Sequence, residues 1–492
     1  MLKILICWRL LWALLSQSWY VPDETWQSVE VAHKMAFGQG LLTWETNWHL
    51  RSSLQSLPYA GLFKLLQLLH LDFQFLVIYL PKMLAGVLTA IADWCFYHSA
   101  KVKYYGMNLR EGYGNGRTVA KWWLLLSQTN WFLIYSGSRT VINTMETALL
   151  SIGVSMFPDA HYLYVVALSV MLRPTLAIAW APMILDHFWH HYIKLMSGRT
   201  LTRFVKNIIG PAILVGLLVG LDSWFYGEPT LTPYNFFKIN VGHNLAKFYG
   251  IQPIFWYFTH AVIPIMGPLF LVSFCGMVTQ KEWLDTATWP ILLNLTILSW
   301  LEHKEMRFIQ PILPLLYYRA SQQLARWYNS PPTSNWVILL ISLNIPLALY
   351  LSLVHQRGVV DVAVWLGRQD NITSAIYLMP CHSAPMYSHT HNTSISLEYL
   401  TCLPNLKTAK CNAKRGNYVE EAERFYNSPE RVFKKSYSHN QCVIIFDTLL
   451  DSLSKAFIQS GHKFVKSFFH THNEFFQSTK GRIGNQVFVY CK

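Results

Sequence analysis

Long stretches of this chain carry almost no charge, and that constrains the fold more than any other feature of it. A bilayer core takes about 20 largely apolar residues per helix. Such stretches recur at about 4–20, 74–99, 119–136, 145–157, 160–172, 174–190, 207–226, 253–278, 286–302, 306–319 and 335–355. Any one of them fits a buried helix of a soluble domain. In series they fit a polytopic α-helical membrane protein with about 11 transmembrane helices. Composition agrees: 13% of the 492 residues are charged and 52% hydrophobic, with 20 Trp, 26 Tyr and 28 Phe. An ordinary soluble protein has roughly 25% charged residues. A disordered, fibrous or small disulfide-stapled chain is excluded on the same grounds.

Lysine and arginine collect in four places. These are Lys101, Lys103, Arg110, Arg117 and Lys121; Lys194, Arg199, Arg203 and Lys206; Lys281; and Arg319 with Arg326. With about eleven crossings all four fall on one side, which the positive-inside rule makes the cytoplasm. The net charge of +14 is then a topology signal, and no nucleic-acid partner is expected. The opposite side receives 20–73, 136–146, 226–252, the turn 302–307 and the tail after about Val354. Two glycosylation sequons, at Asn371 and Asn392, lie in that tail and are expected to be used. A third, at Asn294, falls inside a crossing. Lys3, an apolar run and Ser16-Gln17-Ser18 have the shape of a signal peptide. Ahead of so many further crossings the run reads as an uncleaved anchor. Arg9 within it must snorkel or face the bundle.

These readings divide the chain into a membrane module at 1–355 and a C-terminal domain at 356–492. The tail is polar and rich in His, Asn and Ser. Its short apolar runs Gln441–Phe446 and Asn485–Tyr490 read as strands, so a small α/β domain is expected. Cys381, Cys402, Cys411, Cys442 and Cys491 lie there. Five is odd, so at least one stays free or pairs elsewhere. The chain has no phosphate-loop motif, no HExxH and no Cys/His cluster with zinc spacing. No metal site is expected.

Four segments on the non-cytoplasmic side carry residues suited to chemistry. Pro22-Asp23-Glu24 stops the first helix and places two carboxylates at the membrane surface. Partial desolvation there strengthens a carboxylate as a base for a sugar hydroxyl. Asp23 equally suits a helix N-cap. Thr43-Trp44-Glu45 and Arg51 interleave aromatic and charged groups, as a sugar platform does and as an interfacial aromatic belt does. Arg139, Asn143 and Glu146 stand at offsets of 0, 4 and 7, so a helix presents them on one face. They suit a polar cavity or a structural Arg139–Glu146 pair. Glu302-His303-Lys304-Glu305-Met306-Arg307 packs five ionisable side chains into one short turn. Its cations suit a lipid phosphate, and its mixed charges also suit internal salt bridges.

Taken together and in order, these residues resemble the endoplasmic-reticulum mannosyltransferases that use dolichyl phosphate mannose, which have the GT-C architecture (glycosyltransferase family 22). The resemblance rests on Pro22-Asp23-Glu24 and His303-Lys304-Glu305-Met306-Arg307-Phe308. Between them stand Arg139-Thr140 with Asn143 and Glu146, Leu172-Arg173-Pro174-Thr175, and Phe225-Tyr226-Gly227 followed by Thr232-Pro233-Tyr234-Asn235-Phe236. Further matches narrow it to the branch that adds the third, α1,2-linked mannose to the glycosylphosphatidylinositol (GPI) core. They are Trp26-Gln27-Ser28, Glu30-Val31-Ala32-His33, Met379-Pro380-Cys381-His382 and Phe468-Phe469-His470-Thr471-His472. Thr46 departs from the pattern, where a second Trp is common.

The resemblance implies an endoplasmic-reticulum membrane enzyme with a lumenal active site. Its donor is dolichyl phosphate mannose, its acceptor is a mannosylated GPI lipid precursor, and it needs no cofactor. Asp23 is the implied base, supported by Glu24. Lys304 and Arg307, with His303 and Glu305 beside them, would contact the donor phosphate. Glu45, Arg51, Arg139, Asn143 and Glu146 would shape the substrate cavity. A sister enzyme acting on the fourth GPI mannose or on the N-glycan precursor is the near alternative, and a polytopic lipid transporter or scramblase is the distant one.

Overall fold

A computed structural model describes residues 1–107, 116–193, 198–243, 245, 250–279, 287–328, 335–404, 419–472 and 481–492. Of the residues used above, Arg110, Lys194, Lys281 and Cys411 lie outside the described residues. The chain folds as two compact units. The first comprises Met1–Ala13, Trp48–Leu54 and Met83–Ala348. The second comprises Leu14–Asn47, Gln55–Lys82 and Leu349–Lys492.

Each apolar stretch read from the sequence contains helix among the described residues. Among the described residues, three helical spans are long and apolar enough to cross a membrane: Gln74–Val102, Thr202–Tyr226 and Ser342–Leu366. Tyr257–Met266 and Leu269–Val278 make a fourth span if counted as one, bent by 104°. The bend falls where Gly267 takes φ +55, a left-handed conformation that favours glycine, and where Pro268 caps the next helix. The 119–136 stretch is likewise split into Gly116–Thr129 and Trp131–Ser136. Asn130 makes the break: its Oδ1 accepts the Leu133 amide at 3.0 Å, and its Nδ2 donates to the Ile265 carbonyl at 2.7 Å. A side chain that caps one helix while tying down another backbone replaces the hydrogen bonds the break removes.

Inside the first unit, Arg9 of helix Leu2–Leu15 faces the bundle. Its Nε and Nη2 donate to Asp93 Oδ2 at 3.1 and 2.7 Å, and its Nη1 donates to the Leu133 carbonyl at 2.8 Å. Gln128 adds a fourth donor to the group at 3.0 Å from the same Asp93 oxygen. A buried guanidinium paired and hydrogen-bonded in this way escapes the cost of an isolated charge. Gly137 lines this knot, where a Cβ would collide with the Arg9 guanidinium and the Leu133 carbonyl. Arg319 is also buried, bonded to Gln322 at 2.8 Å and Thr288 at 2.7 Å. Its charge is spent inside helix packing and not on a solvated loop.

The second unit is built on a five-stranded mixed sheet, ordered β2-β1-β3-β5-β4. Its strands are β1 (Ser374–Tyr377), β2 (Ser396–Tyr399), β3 (Cys442–Phe446), β4 (Lys463–Phe469) and β5 (Gln486–Cys491). β1 runs parallel to β2 and β3, and β5 runs antiparallel to β3 and β4. The two apolar runs read as strands are thus β3 and β5, paired from Cys442↔Cys491 to Phe446↔Val487. β3 is buried at all five positions because both faces of the sheet are covered. Val443 and Ile445 pack with Phe425, Phe433, Leu453 and Phe457. Cys442, Ile444 and Phe446 pack with Val359, Leu366, Trp19 and Trp26. The last two come from the start of the chain, so residues 14–47 share a hydrophobic core with the tail. Disulfides join Cys381 to Cys402 and Cys442 to Cys491.

Candidate active site

The second unit holds the paired carboxylates. Pro22–Glu24 opens a helical stretch that continues through Thr25–Val29 to Phe37. The N-cap position falls on Val21, in extended backbone, with Pro22 at the first helical position. Asp23 is therefore not the cap. It sits one residue inside the helix start, where the dipole still favours its negative charge. Asp23 is partly exposed and Glu24 is buried. Burial raises the Tyr59 phenol pKa, and the nearby Glu24 charge adds to the rise.

Trp26 anchors this turn to the tail. Its Nε1 donates to the Ala384 carbonyl at 3.0 Å, and its ring packs against His382 (4.6 Å between centroids) and Tyr399 (4.7 Å). Burial pushes His382 down to about 4, against the pull of the Asp23 charge. One turn further on, Glu30 accepts the backbone amides of Tyr387 and Ser388, each at 3.0 Å. His33 Nε2 meets His391 Nδ1 at 2.9 Å, and His391 Nε2 reaches the Asp72 carbonyl at 2.7 Å. Gln27 donates to Glu45 at 2.6 Å. Cys381, His382 and Cys402 lie close enough together to hold a metal ion, but the two sulfurs are joined to each other and offer no thiolate.

The first unit holds the second cluster. Glu146 lies near the start of helix Ile142–Met156, and Asn143 Nδ2 donates to its Oε2 at 2.6 Å. Arg173 Nε stands 3.6 Å from its Oε1, and Thr175 Oγ1 donates to the same oxygen at 3.4 Å. Arg307 grips Glu305 in a fork, with Nε to Oε2 and Nη2 to Oε1 both at 2.7 Å. His303 Nε2 adds a contact of 3.1 Å to Glu305 Oε1. Burial would raise the Glu305 pKa, but Arg307 and His303 outweigh it and hold the carboxylate below its ordinary range. Arg173 and Arg307 both lie 5.5 Å from the Phe308 ring, and the charges of both act on Glu146. Arg139 is fully buried, with Nε on the Tyr135 carbonyl at 3.0 Å and the guanidinium over the Tyr135 ring at 4.1 Å.

Lys304 has a different position. Its Nζ donates to the Gln252 carbonyl at 3.1 Å and to the Leu301 carbonyl, so it ties the turn to the preceding loop. Arg51 sits in a loop fixed from below by Asp222. That carboxylate accepts Ser52 Oγ at 3.0 Å, the Ser53 amide at 2.8 Å, Ser53 Oγ at 2.7 Å and Thr232 Oγ1 at 2.9 Å. The Arg51 guanidinium lies 6.0 Å from the Phe236 ring. An apolar groove of about 630 Å³, lined among others by Met171, Ala177, Leu185 and Pro233, opens in the same unit. Met171 and Ala177 flank Arg173–Leu176 in the chain.

The structure thus brings Asn143, Glu146, Glu305, Arg307 and His303 together in one unit, and Asp23, Glu24 and Glu45 within the other. Arg173 was legible only as part of a matching motif. An arginine at the end of an apolar helix is the signal that marks it.

A membrane glycosyltransferase fold of the GT-C class accounts for this architecture. The chain is structurally similar to ArnT from Cupriavidus metallidurans, crystallised with undecaprenyl phosphate. The TM-score is 0.61 at 10% identity, over 99% of this chain and 96% of that one. By sequence, residues 1–391 match the Alg9-like mannosyltransferase family, and the chain belongs to that family. It is 34% identical to GPI alpha-1,2-mannosyltransferase 3 of Homo sapiens over 100% of this chain and 86% of the relative. It is also 34% identical to GPI mannosyltransferase 3 of Drosophila melanogaster, over 92% and 80%.

Proposed function

We propose that this chain transfers the third, α1,2-linked mannose from dolichyl phosphate mannose to a mannosylated GPI lipid precursor, in the lumen of the endoplasmic reticulum. The observation that carries the chemistry is the pair of guanidiniums, Arg173 and Arg307, flanking Phe308 beside Glu146 and Glu305. A lipid-phosphate sugar leaves behind an anionic phosphate, and two forked cations in a poorly solvated site stabilise that charge as it develops. The relatives named above are GPI mannosyltransferases, the human one α1,2-specific by name, which supports the acceptor.

A β-linked donor and an α-linked product require one inversion. Asp23 takes the proton of the acceptor mannose 2-hydroxyl as that oxygen bonds to the anomeric carbon. The anomeric carbon–phosphate oxygen bond breaks with its electron pair leaving on dolichyl phosphate. A single base and a stabilised leaving group suffice, without a covalent sugar intermediate. Phosphate is already a good leaving group, so a divalent cation is not obligatory, and chelator should leave the rate unchanged. Glu24 supports the Asp23 turn from its buried side. Asn143 and Glu146 orient Arg173, and His303 and Glu305 orient Arg307. Lys304 keeps the turn closed. Glu45, Arg51 and Arg139 line the approach of the sugars. The apolar groove next to Arg173 in sequence suits the polyprenyl chain.

Complementation tests the reading. Cells arrested with a two-mannose GPI intermediate should regain the three-mannose product when they express this chain, and should not regain it with Asp23→Asn. Failure of the intact chain to elongate that intermediate overturns the acceptor assignment.

A further inference from the structure

One buried hydroxyl near the arginine pair closes no hydrogen bond among the described residues. Tyr257 is fully buried, and its hydroxyl oxygen makes no hydrogen bond among the described residues. It lies close to the Glu305 backbone amide without closing a bond to it, and within electrostatic reach of Glu305, Arg173 and Arg307. Buried polar groups in native proteins are nearly always satisfied, so an orphan hydroxyl requires an explanation. The local backbone adds a second observation. Tyr257 opens a π-helical segment, Tyr257–Val262, and single π turns inside helices occur frequently at functional sites. The segment is the first limb of the helix pair that bends by 104°.

An ordinary core tyrosine loses stability for every buried unpaired hydroxyl, and phenylalanine would fill the same space without that loss. Here two guanidiniums, which select for anions, lie within electrostatic reach of the hydroxyl. A phenol O–H near two such cations completes a set of donors for one tetrahedral phosphate: guanidinium N–H groups not engaged by Glu146 or Glu305, and one hydroxyl.

We propose that Tyr257 is a substrate-binding residue whose hydroxyl donates a hydrogen bond to a phosphate oxygen of the lipid-phosphate sugar, alongside Arg173 and Arg307. The inference rests on the reading of those arginines as the phosphate site. A GPI precursor also carries phosphate, so the same chemistry has two sources, and the experiment must separate them.

Tyr257→Phe removes the hydroxyl alone. In microsomes containing the full chain, initial rates are measured against dolichyl phosphate mannose at saturating acceptor, then against acceptor at saturating donor. Melting temperature is measured on the same preparation, and Arg307→Lys runs in parallel. A hydrogen bond to a charged group corresponds to about tenfold or more in affinity. The donor KM of Tyr257→Phe should rise by about tenfold or more, with the acceptor KM unchanged and Tm equal or higher. A purely structural hydroxyl would not produce that combination. An unchanged donor KM overturns the proposal. A rise confined to the acceptor KM overturns it in favour of the acceptor's phosphate. A lowered Tm with proportionate loss of activity returns the hydroxyl to the fold and also overturns it. If Arg307→Lys raises the donor KM while Tyr257→Phe does not, the phosphate reading stands and only Tyr257 is excluded. If neither changes it, both fall.

Discussion

At the residue scale, two side chains make opposite demands on a substitution. As the proposed base Asp23 would accept a proton, so Asp23→Asn should preserve the fold and cost about 10²–10⁴ in rate. Mannose transfer in microsomes, normalised to the amount of folded protein, measures it. Near-normal activity would move the base to Glu24. Arg307 acts by geometry. Its fork holds Glu305 through two bonds of 2.7 Å, which an ammonium cannot reproduce. Arg307→Lys should therefore reduce kcat/KM for the donor by about tenfold or more although the charge is kept. The turn 302–307 was legible in the sequence because five ionisable residues crowd between two apolar runs. What each one does was not legible. Lys304 and Arg307 look alike as cations in the sequence, yet one is bonded to two carbonyls and the other to a carboxylate. Arg173 meets Glu146 across 27 residues, with an apolar helix between them, and no local periodicity announces such a meeting.

At the scale of elements, the pattern of apolar residues located helices and the tail's strands β3 and β5. It did not locate the interruptions. Asn130 and Gly267 break apolar runs because of what they touch or the backbone they adopt, and hydropathy is blind to both. The Arg9–Asp93 knot gives an element-level test. Gly137→Ala puts a methyl group against the Arg9 guanidinium and the Leu133 carbonyl, so it should separate helix Leu2–Leu15 from its partner. We expect lower Tm and lower yield of the membrane-inserted protein, while Gly216→Ala, where a Cβ meets nothing within 4 Å, should be tolerated. The Cys442–Cys491 bond closes a separation of 49 residues, worth about 4 kcal/mol in the chain-entropy model. Replacing both by serine should make the tail sensitive to mild protease without changing the donor KM.

For the whole molecule, two measurements are decisive. Asn371 is exposed and Asn392 partly exposed. If the tail is lumenal, glycosidase should shift the mobility of the chain, and Asn371→Gln combined with Asn392→Gln should abolish the shift. Protease added outside sealed microsomes should leave the tail intact, and digestion there would reverse the orientation. The second measurement is stability against pH. Burial lowers His33 and His382 from 6.5 to about 4, and it lowers His389 and His391 as well. The unfolded chain binds these protons first, so stability falls as pH drops below about 6.5, and for His33 and His382 the fall continues to about 4, by up to about 1.4 kcal/mol per pH unit each. Glu30, raised by burial, works in the opposite sense but is outnumbered. Melts at pH 7.4, 5.5 and 4.5 should show Tm decreasing, and a flat profile would mean that these rings stay solvated. The sequence marked the tail as a separate composition. It carried no sign that residues 14–47 pack with that tail, because the contacts are long-range and each partner is ordinary by itself.

That shared core has a consequence for the order of events in synthesis. The segment bearing Asp23 and Glu24 leaves the ribosome well before the tail, and Glu30 finds its partner Ser388 only 358 residues later. At roughly 5–20 residues per second, the carboxylate turn waits on the order of 20 to 70 s before the strands and the histidine turn that complete its surroundings exist. Throughout that interval Trp19 and Trp26, later buried in the tail's core, are exposed apolar surface. The carboxylate turn is thus made well before the residues that surround it. A chain that stops early in the tail would lose the setting of the proposed base without any change near residue 23.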